Sequence, residues 1–171
     1  TISGGPNFAY DYCLQKISVE QCQSLDLSSW SVAFTGAESI RAQTLRRFSE
    51  KFVACGFDHN AFYPCYGLAE STLFVTGKTA IAPEVISVSR SKLNQGEVQT
   101  VSEIDGETAA SEIQQNDVRQ IVSCGRSIRQ PIETPRIETP RTETQRIEIV
   151  DPQTGVPCKP GSIGEIWVCG P

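Results

Sequence analysis

Two short motifs combine residue types that suit nucleotide binding, and the first of them is Thr35-Gly36-Ala37-Glu38. It follows an apolar run, and a glycine at the C-terminal end of a strand lets a ligand ring approach the backbone closely. The backbone amides and carbonyls of Gly36 and Ala37 are then placed to bond the edge of an adenine. Glu38 either faces a ribose or is simply solvated. A plain strand-to-helix turn is the alternative interpretation.

The second motif is Tyr66-Gly67-Leu68-Ala69-Glu70. A tyrosine ring beside a glycine offers a flat face on which a base can stack. The carboxylate of Glu70 suits a Mg²⁺ ion beside a triphosphate, because hard cations prefer carboxylate oxygens. Alternatively, its charge complements the dipole at the start of a helix. Taken alone, this pentapeptide does not decide between the two roles.

The elements around both motifs predict an α/β fold with parallel strands. Residues 30–34 form a nearly continuous apolar run, which is typical of a strand covered on both faces, and residues 61–64 form a second short strand. Between them, a helix is expected from a cap at Ser39 to Gly56, with an apolar face at Ile40, Leu45, Phe48, Phe52 and Val53. Open sheets of this kind bind ligands at the carboxyl ends of their strands.

The N-terminal residues 1–6 read as the exit from a strand, and residues 7–25 as helical, with a second start at the capping box of Ser18 and Gln21. We divide the chain into an α/β part carrying both motifs (1–75), a polar surface insertion (76–120) and a β-rich part (121–171). Strands are expected at 84–88, 96–101, 121–124, 146–150 and 165–168. A five-residue repeat occupies the loop at 131–146, where its prolines remove strand hydrogen-bond donors.

Composition excludes several functions. Fifteen Lys and Arg stand against 20 Asp and Glu, a net charge of −5, so no basic field is available for nucleic acid. No apolar run approaches the ~20 residues of a membrane span. Seven cysteines without a C-x-x-C pair, and one histidine, argue against structural zinc. They are typical of reduced thiols, and we expect a cytoplasmic protein.

Five stretches of the chain together resemble the fatty acyl-AMP ligases of the adenylate-forming superfamily. They read SGGPNFAYDYC, VAFTGAE, FYPCYGLAESTLFV, IVSCGR and RIEIVDPQTGVPCKPGSIGEIWVCGP. The resemblance implies the central part of the large N-terminal domain, with an α/β sheet layer followed by a β-rich, barrel-like subdomain. It also identifies residues 76–120 with an insertion of that family, which is thought to disfavour the use of CoA.

The resemblance implies an enzyme that activates a fatty acid with ATP and Mg²⁺, releases pyrophosphate and passes the acyl group to an acyl carrier protein in lipid or polyketide synthesis. The site residues it implies are Gly36, Ala37 and Glu38 at the adenine, Tyr66 stacked on it, Gly67, Leu68 and Ala69 beside the phosphate and acyl carbonyl, and Glu70 on Mg²⁺. Ala69 stands where the superfamily usually has Thr, and this is typical of the fatty acyl-AMP branch.

Two other functions stay open. An acyl-CoA ligase of the same superfamily shares the first half-reaction, and a non-catalytic binding or scaffold module would have lost it. The family's phosphate loop, ribose-binding aspartate and catalytic lysine are expected outside residues 1–171, so we predict that this segment alone is inactive. We also expect Phe34, Phe62 and Leu73 to expose apolar surface in the isolated segment.

Overall fold

The computed structural model describes residues 1–78, 80–101, 117–127 and 145–169. The chain divides into two compact units, one formed by Thr1–Val85 and Ile121–Arg126, the other by Ile86–Gln120 and Ser127–Pro171. The α-helices are α1 (Asn7–Lys16), α2 (Val19–Cys22), α3 (Ala42–Phe52) and α4 (Arg90–Asn94). The strands are β1 (Ile2–Gly4), β2 (Val32–Thr35), β3 (Phe62–Tyr66), β4 (Thr76–Gly77), β5 (Val85–Ser89), β6 (Val118–Val122), β7 (Arg146–Val150) and β8 (Glu165–Cys169).

The first unit contains a four-stranded sheet in the order β1-β2-β3-β4. β1, β2 and β3 run parallel, with Ala33 opposite Phe62 and Thr35 opposite Pro64. β4 is antiparallel to β3. Because the three parallel strands share one direction, their carboxyl ends lie at one edge of the sheet. That edge carries both sequence motifs.

One face of this sheet packs on α1 and α3 through a cluster of aromatic rings. Phe48 lies at its centre, with ring centroids 4.4 to 6.2 Å from its neighbours, and Ala33 and Phe62 of the sheet are fully buried beneath it. The other rings are those of Tyr10, Trp30, Phe52, Phe57 and Phe62. Edge-to-face geometry predominates, as expected for rings whose edges and faces carry opposite partial charge.

The observed ends of the helices agree only in part with those predicted from the sequence. The capping box of Ser18 and Gln21 is present at α2, and Gly56 ends the helical segment with a φ of 84°. The start of α3 was predicted wrongly, because the cap residue is Arg41 rather than Ser39. The prediction that Val53 lies on the apolar face of this helix is also wrong. Its side chain is 64% exposed, because the chain tightens into a 3₁₀ turn at Val53–Cys55 and directs this side chain away from the core.

In the second unit, β7 and β8 pair antiparallel over five residue pairs, from Arg146–Cys169 to Val150–Glu165. The turn after β7 is closed by a hydrogen bond from the Gly155 amide to the Asp151 carbonyl, 2.8 Å. The strand expected at 96–101 is wrong: only isolated bridges occur at Glu97 and Thr100, and α4 precedes them.

The remaining strands form a further two-stranded sheet of β5 and β6. Among the described residues, the strands form these three separate sheets and no closed barrel. Residues 131–144 of the predicted repeat loop at 131–146 lie outside the described residues, as does the stretch 102–116 of the predicted insertion. Within the described ranges, no helix has the length and apolar character needed to cross a bilayer.

Candidate nucleotide-binding site

A cavity of about 410 Å³ lies at the carboxyl ends of β2 and β3, where the two motifs meet. Gly36 follows β2 directly, and Tyr66 is the last residue of β3. Thus two positions 30 residues apart become neighbours. The cavity is lined by Ile2, Gly5, Pro6, Val32, Phe34, Gly36, Ala37, Tyr63, Cys65, Tyr66, Gly67, Leu73 and Phe74. Its size and its mainly apolar wall suit a small organic ligand.

Both motif glycines are required by close backbone contacts. A Cβ on Gly36 would lie 2.8 Å from the carbonyl oxygen of Cys65, and one on Gly67 would lie 1.5 Å from the carbonyl oxygen of Leu73. Neither strand end can therefore carry a larger residue without moving its neighbour. Gly36 therefore lies directly against β3, and Gly67 lies directly against the returning chain of its own loop.

Three residues near the cavity have left-handed backbone angles although none is glycine. They are Ala37 with φ 65°, Thr72 with φ 55° and Leu73 with φ 77°. This conformation costs about 1 kcal/mol or more per residue, and it persists only where surrounding contacts impose it. Ala37 and Leu73 both line the cavity. The strained positions are thus concentrated at the predicted site.

The loop after Tyr66 turns back on itself. The amides of Ser71 and Leu73 both donate to the Leu68 carbonyl, at 3.1 and 3.0 Å, and the Val75 amide donates to Tyr66 O at 3.0 Å. A 3₁₀ turn at Ala69–Ser71 presents Glu70, which is exposed. Leu68, Ala69 and Glu70 do not line the cavity itself. The structure therefore brings Gly36, Ala37, Tyr66 and Gly67 together and places the rest of the second motif beside them.

Glu38 has a structural partner. Its Oε1 accepts a hydrogen bond from the amide of Phe8 at 2.6 Å, in the first turn of α1. The α1 cap residue, Pro6, offers no side-chain acceptor there, so Glu38 supplies one from another element. A carboxylate also complements the partial positive charge of a helix N-terminus. Glu38 does not line the cavity, and its predicted place at the adenine stays a prediction.

The walls of the cavity were missed by the sequence analysis. Val32 and Phe34 point away from the helix-covered face of β2, and Tyr63 and Cys65 do so on β3. The alternation along each strand was the available signal. Cys65 donates through Sγ to the carbonyl of Thr35 at 3.4 Å, and burial raises the pKa of its thiol. This thiol is accordingly poorly ionised at neutral pH.

The acidic residues near the cavity bear on the predicted Mg²⁺. Within the described residues, no group of three or more His, Cys, Asp or Glu side chains could hold a metal ion on its own. Mg²⁺ commonly uses one or two carboxylates together with water and substrate phosphates. An exposed Glu70 beside the cavity would fit that arrangement with a nucleotide whose phosphates supply the other oxygens.

The similarity to known proteins extends over the whole chain. The family described as AMP-binding enzyme matches residues 1–171. The chain belongs to this family. The predicted superfamily is thereby confirmed.

Three similar proteins illustrate the match. The medium-chain-fatty-acid–acyl-carrier-protein ligase JamA of Moorena producens is 38% identical over 172 residues, covering 100% of this chain and 25% of JamA. The corresponding ligase TtuA of Teredinibacter turnerae is 35% identical over 171 residues, covering 99% and 23%. A structure of fatty acyl-adenylate ligase from Legionella pneumophila in complex with acyl adenylate and pyrophosphate is 38% identical, with a TM-score of 0.78, covering 99% and 25%.

These matches confirm the predicted α/β fold as that of an AMP-binding enzyme. The chain spans about a quarter of the length of each relative. Close relatives are ligases that act on fatty acids. The chain therefore carries one portion of an adenylate-forming architecture, and the cavity lies within that portion.

Proposed function

We propose that this chain is part of a ligase that activates a medium- or long-chain fatty acid with ATP. One carboxylate oxygen of the acid attacks the α-phosphorus of ATP, a new O–P bond forms, and the bond to pyrophosphate breaks. The products are acyl-AMP and pyrophosphate. The observation that carries this proposal is the meeting of Gly36-Ala37 and Tyr66-Gly67 at one cavity. The names of JamA and TtuA support the acid, and the Legionella complex supports the adenylate.

In this proposal the ends of β2 and β3 bind the nucleoside. The backbone of Gly36 and Ala37 bonds the adenine edge, and the ring of Tyr66 stacks on its face. Gly67, Leu68 and Ala69 lie along the phosphate and acyl-carbonyl side. Backbone groups held by the hydrogen bonds of the loop orient the α-phosphate for in-line attack at this point, and positioning of this kind is a large part of catalysis.

Glu70 is proposed to hold Mg²⁺ with the phosphate oxygens. Its exposure leaves the carboxylate available, and its position on the turn that follows Tyr66 supports a role on the phosphate side of the base. The cation would neutralise charge that builds up on the leaving pyrophosphate. Because Ala69 carries no hydroxyl, the backbone rather than a side chain meets the phosphate at that position.

We propose an acyl carrier protein as the acceptor of the acyl group, within lipid or polyketide assembly. The names of JamA and TtuA support this acceptor. An acyl-CoA ligase remains the close alternative, since it makes the same adenylate and differs in the final thiol. A non-catalytic module is the rival of a different class, and the intact Tyr66 and Glu70 argue against it. We further propose that residues 1–171 alone do not form acyl-AMP.

The test uses the full-length protein with ATP, Mg²⁺ and fatty acids of graded chain length, with and without CoA, and mass spectrometry of the products. Acyl-AMP that accumulates regardless of CoA supports the proposal. Acyl-CoA moves the protein to the alternative ligase. Absence of any adenylate, with every acid, rejects both ligases in favour of the non-catalytic module. Residues 1–171 assayed in parallel should give no adenylate.

A further inference from the structure

The loop between β2 and α3 is bound to the first turn of α1 at both of its ends. At the β2 end, the Phe34 carbonyl accepts hydrogen bonds from the Gly5 amide at 3.0 Å and from the Tyr10 hydroxyl at 2.8 Å. Further on, the carboxylate of Glu38 accepts from the amide of Phe8. These contacts run from residues 5–10 to residues 34–38, at the end of β2 and in the first half of the loop.

At the α3 end, Asn7 completes the attachment. Its Oδ1 accepts a hydrogen bond from the amide of Arg41, the cap residue of α3, at 2.9 Å. In a capping box the acceptor for this amide comes from inside the same helix. Here it comes from α1, while Glu38 serves α1 in return. We call these two bonds, Glu38 to Phe8 and Asn7 to Arg41, the reciprocal caps.

Asn7 is itself held rigidly. It is only 3% exposed, and its Nδ2 donates to Asp11 Oδ2 at 3.1 Å and to Thr44 Oγ1 at 3.3 Å. Thr44 in turn donates to Asp11 Oδ1 at 3.0 Å. A buried network whose members are all bonded fixes its side chains in single rotamers. The acceptor that meets Arg41 is therefore preorganised.

The strained Ala37 lies between the Phe34 carbonyl, which Gly5 and Tyr10 hold, and the reciprocal caps at Glu38 and Arg41. Ala37, with its φ of 65°, immediately precedes Glu38. A non-glycine residue keeps this conformation only where its surroundings impose it. We infer that Asn7, which contacts no part of the proposed nucleotide, is a positioning residue that holds the Gly36-Ala37 backbone in the geometry that binds adenine. This inference rests on the proposed function.

The experiment compares Asn7→Ala with Thr44→Val in the full-length protein. Asn7→Ala removes the acceptor from the Arg41 amide, whereas Thr44→Val weakens the same buried network and leaves that acceptor in place. We expect Asn7→Ala to raise KM and Kd for ATP about five- to tenfold, the equivalent of one lost hydrogen bond. KM for the fatty acid should stay constant. Thr44→Val should lower stability but raise KM for ATP far less than Asn7→Ala does, because Asp11 still holds the Asn7 side chain.

A readout without nucleotide accompanies the kinetics. In the nucleotide-free protein, Asn7→Ala should speed amide hydrogen exchange at residues 36–41, and Thr44→Val should speed it much less. Asn7→Asp retains an oxygen acceptor for Arg41 and should restore the ATP affinity, although its charge beside Asp11 lowers stability. If Asn7→Ala does not fold, Asn7→Ser replaces it, because the shorter side chain withdraws the acceptor and stays polar.

The outcomes separate the inference from the proposed function. If wild-type protein binds no ATP, the proposed function fails and the inference falls with it. If wild-type protein binds ATP and Asn7→Ala binds it equally well, the inference alone is overturned. Equal increases in KM for Asn7→Ala and Thr44→Val would also overturn it, because the effect would then follow stability.

Discussion

At the scale of single residues, Glu70 offers the sharpest test of the chemistry. It is exposed, so replacing its carboxylate by an amide should hardly change stability. Glu70→Gln in the full-length protein should lower the rate of pyrophosphate release by about two orders of magnitude, the usual loss when one electrostatic group is withdrawn from a transition state. Release is measured with a coupled pyrophosphate assay at saturating ATP.

Glu50 supplies the matched control for that substitution. It is another exposed glutamate, on α3, and among the described residues its ion-pair partner is Arg46 at 3.8 Å. Glu50→Gln should leave the rate unchanged, since exposed pairs on a helix contribute little. A wild-type rate for Glu70→Gln would remove Glu70 from the metal site.

The thiol of Cys65 should report occupancy of the cavity. Only the thiolate is alkylated, and burial raises the pKa of Cys65, so its reaction with iodoacetamide should be slow at pH 7 and still rising above pH 9. Bound acyl-adenylate should slow it further. The pKa of Cys124 is likewise raised by burial, but Cys124 does not line the cavity.

Peptide mapping after graded labelling gives both rates in one experiment. Protection of Cys65 and not of Cys124 is the expected result. Equal protection of both thiols would mean that the adenylate acts on the whole unit rather than by covering the cavity wall.

The hydroxyl of Thr35 is a buried group whose removal should help. Thr35 is fully buried, and its Oγ1 has no hydrogen-bond partner among the described residues. Thr35→Val keeps the shape and removes the unsatisfied oxygen, so we expect a gain of about 1 kcal/mol in the free energy of unfolding. Thr44→Val, the same change within a bonded network, should lose about that amount.

Urea unfolding of the two variants provides the measurement. The free energy of unfolding should rise in Thr35→Val and fall in Thr44→Val. A loss of stability in Thr35→Val would show that this hydroxyl bonds a group beyond the described residues.

At the scale of elements, Gly67 determines how the loop after β3 packs. A Cβ there would overlap the Leu73 carbonyl, so Gly67→Ala must displace the returning chain. We expect a loss of about 2 kcal/mol or more in unfolding free energy, together with loss of adenylation. Gly96→Ala is the control, since its Cβ would meet nothing within 4 Å and only its φ of 84° opposes the change.

The control should cost about 1 kcal/mol, the ordinary penalty for a left-handed alanine. Thermal unfolding and pyrophosphate release of both variants test this pair. A Gly67→Ala protein as stable and active as wild type would show that the loop relaxes without cost.

Local sequence could predict those elements in which the polar and apolar residues follow one regular pattern from end to end. β7, at 146–150, was predicted with its observed bounds, because alternation there is clean. β3 runs two residues beyond the predicted end, since Cys65 and Tyr66 pair with β4, ten residues further along. The start of α3 depends on Asn7, 34 residues away. No local pattern contains such partners.

The site followed the same rule. Gly36, Ala37, Tyr66 and Gly67 were predicted together, because motifs at the ends of parallel strands meet at one edge. The apolar walls and the structural partner of Glu38 were not predicted. Both require knowing which face of β2 the helices cover and where α1 begins, and those are properties of the packed sheet.

At the scale of the whole molecule, exposed apolar side chains predict how the isolated segment behaves. Phe34 and Leu73 are 41% and 74% exposed, as expected, and Ile2 is 73% exposed. Phe62 was also expected to be exposed, and this was wrong: its side chain is fully buried within the aromatic cluster. Apolar surface of this kind promotes association. Residues 1–171 alone should therefore self-associate at micromolar concentration.

Sedimentation velocity over a concentration series measures this association. The double variant Ile2→Ser, Leu73→Ser should reduce it, whereas Val53→Ser, at a similarly exposed position away from the cavity, should not. A segment that stays monomeric throughout would show that these side chains are covered within the segment in solution.

The order of strands in the sheet also bears on how the protein is made. β1, β2 and β3 lie side by side in the order of synthesis, and paired strands are only about thirty residues apart. Each strand can join the growing edge soon after it leaves the ribosome, at the ~5–20 residues per second of translation. The last contribution to this unit, Val122 in the core and Arg126 beside Gly77, arrives only after a further long stretch of chain. Until then the nascent chain exposes that part of its core to chaperones.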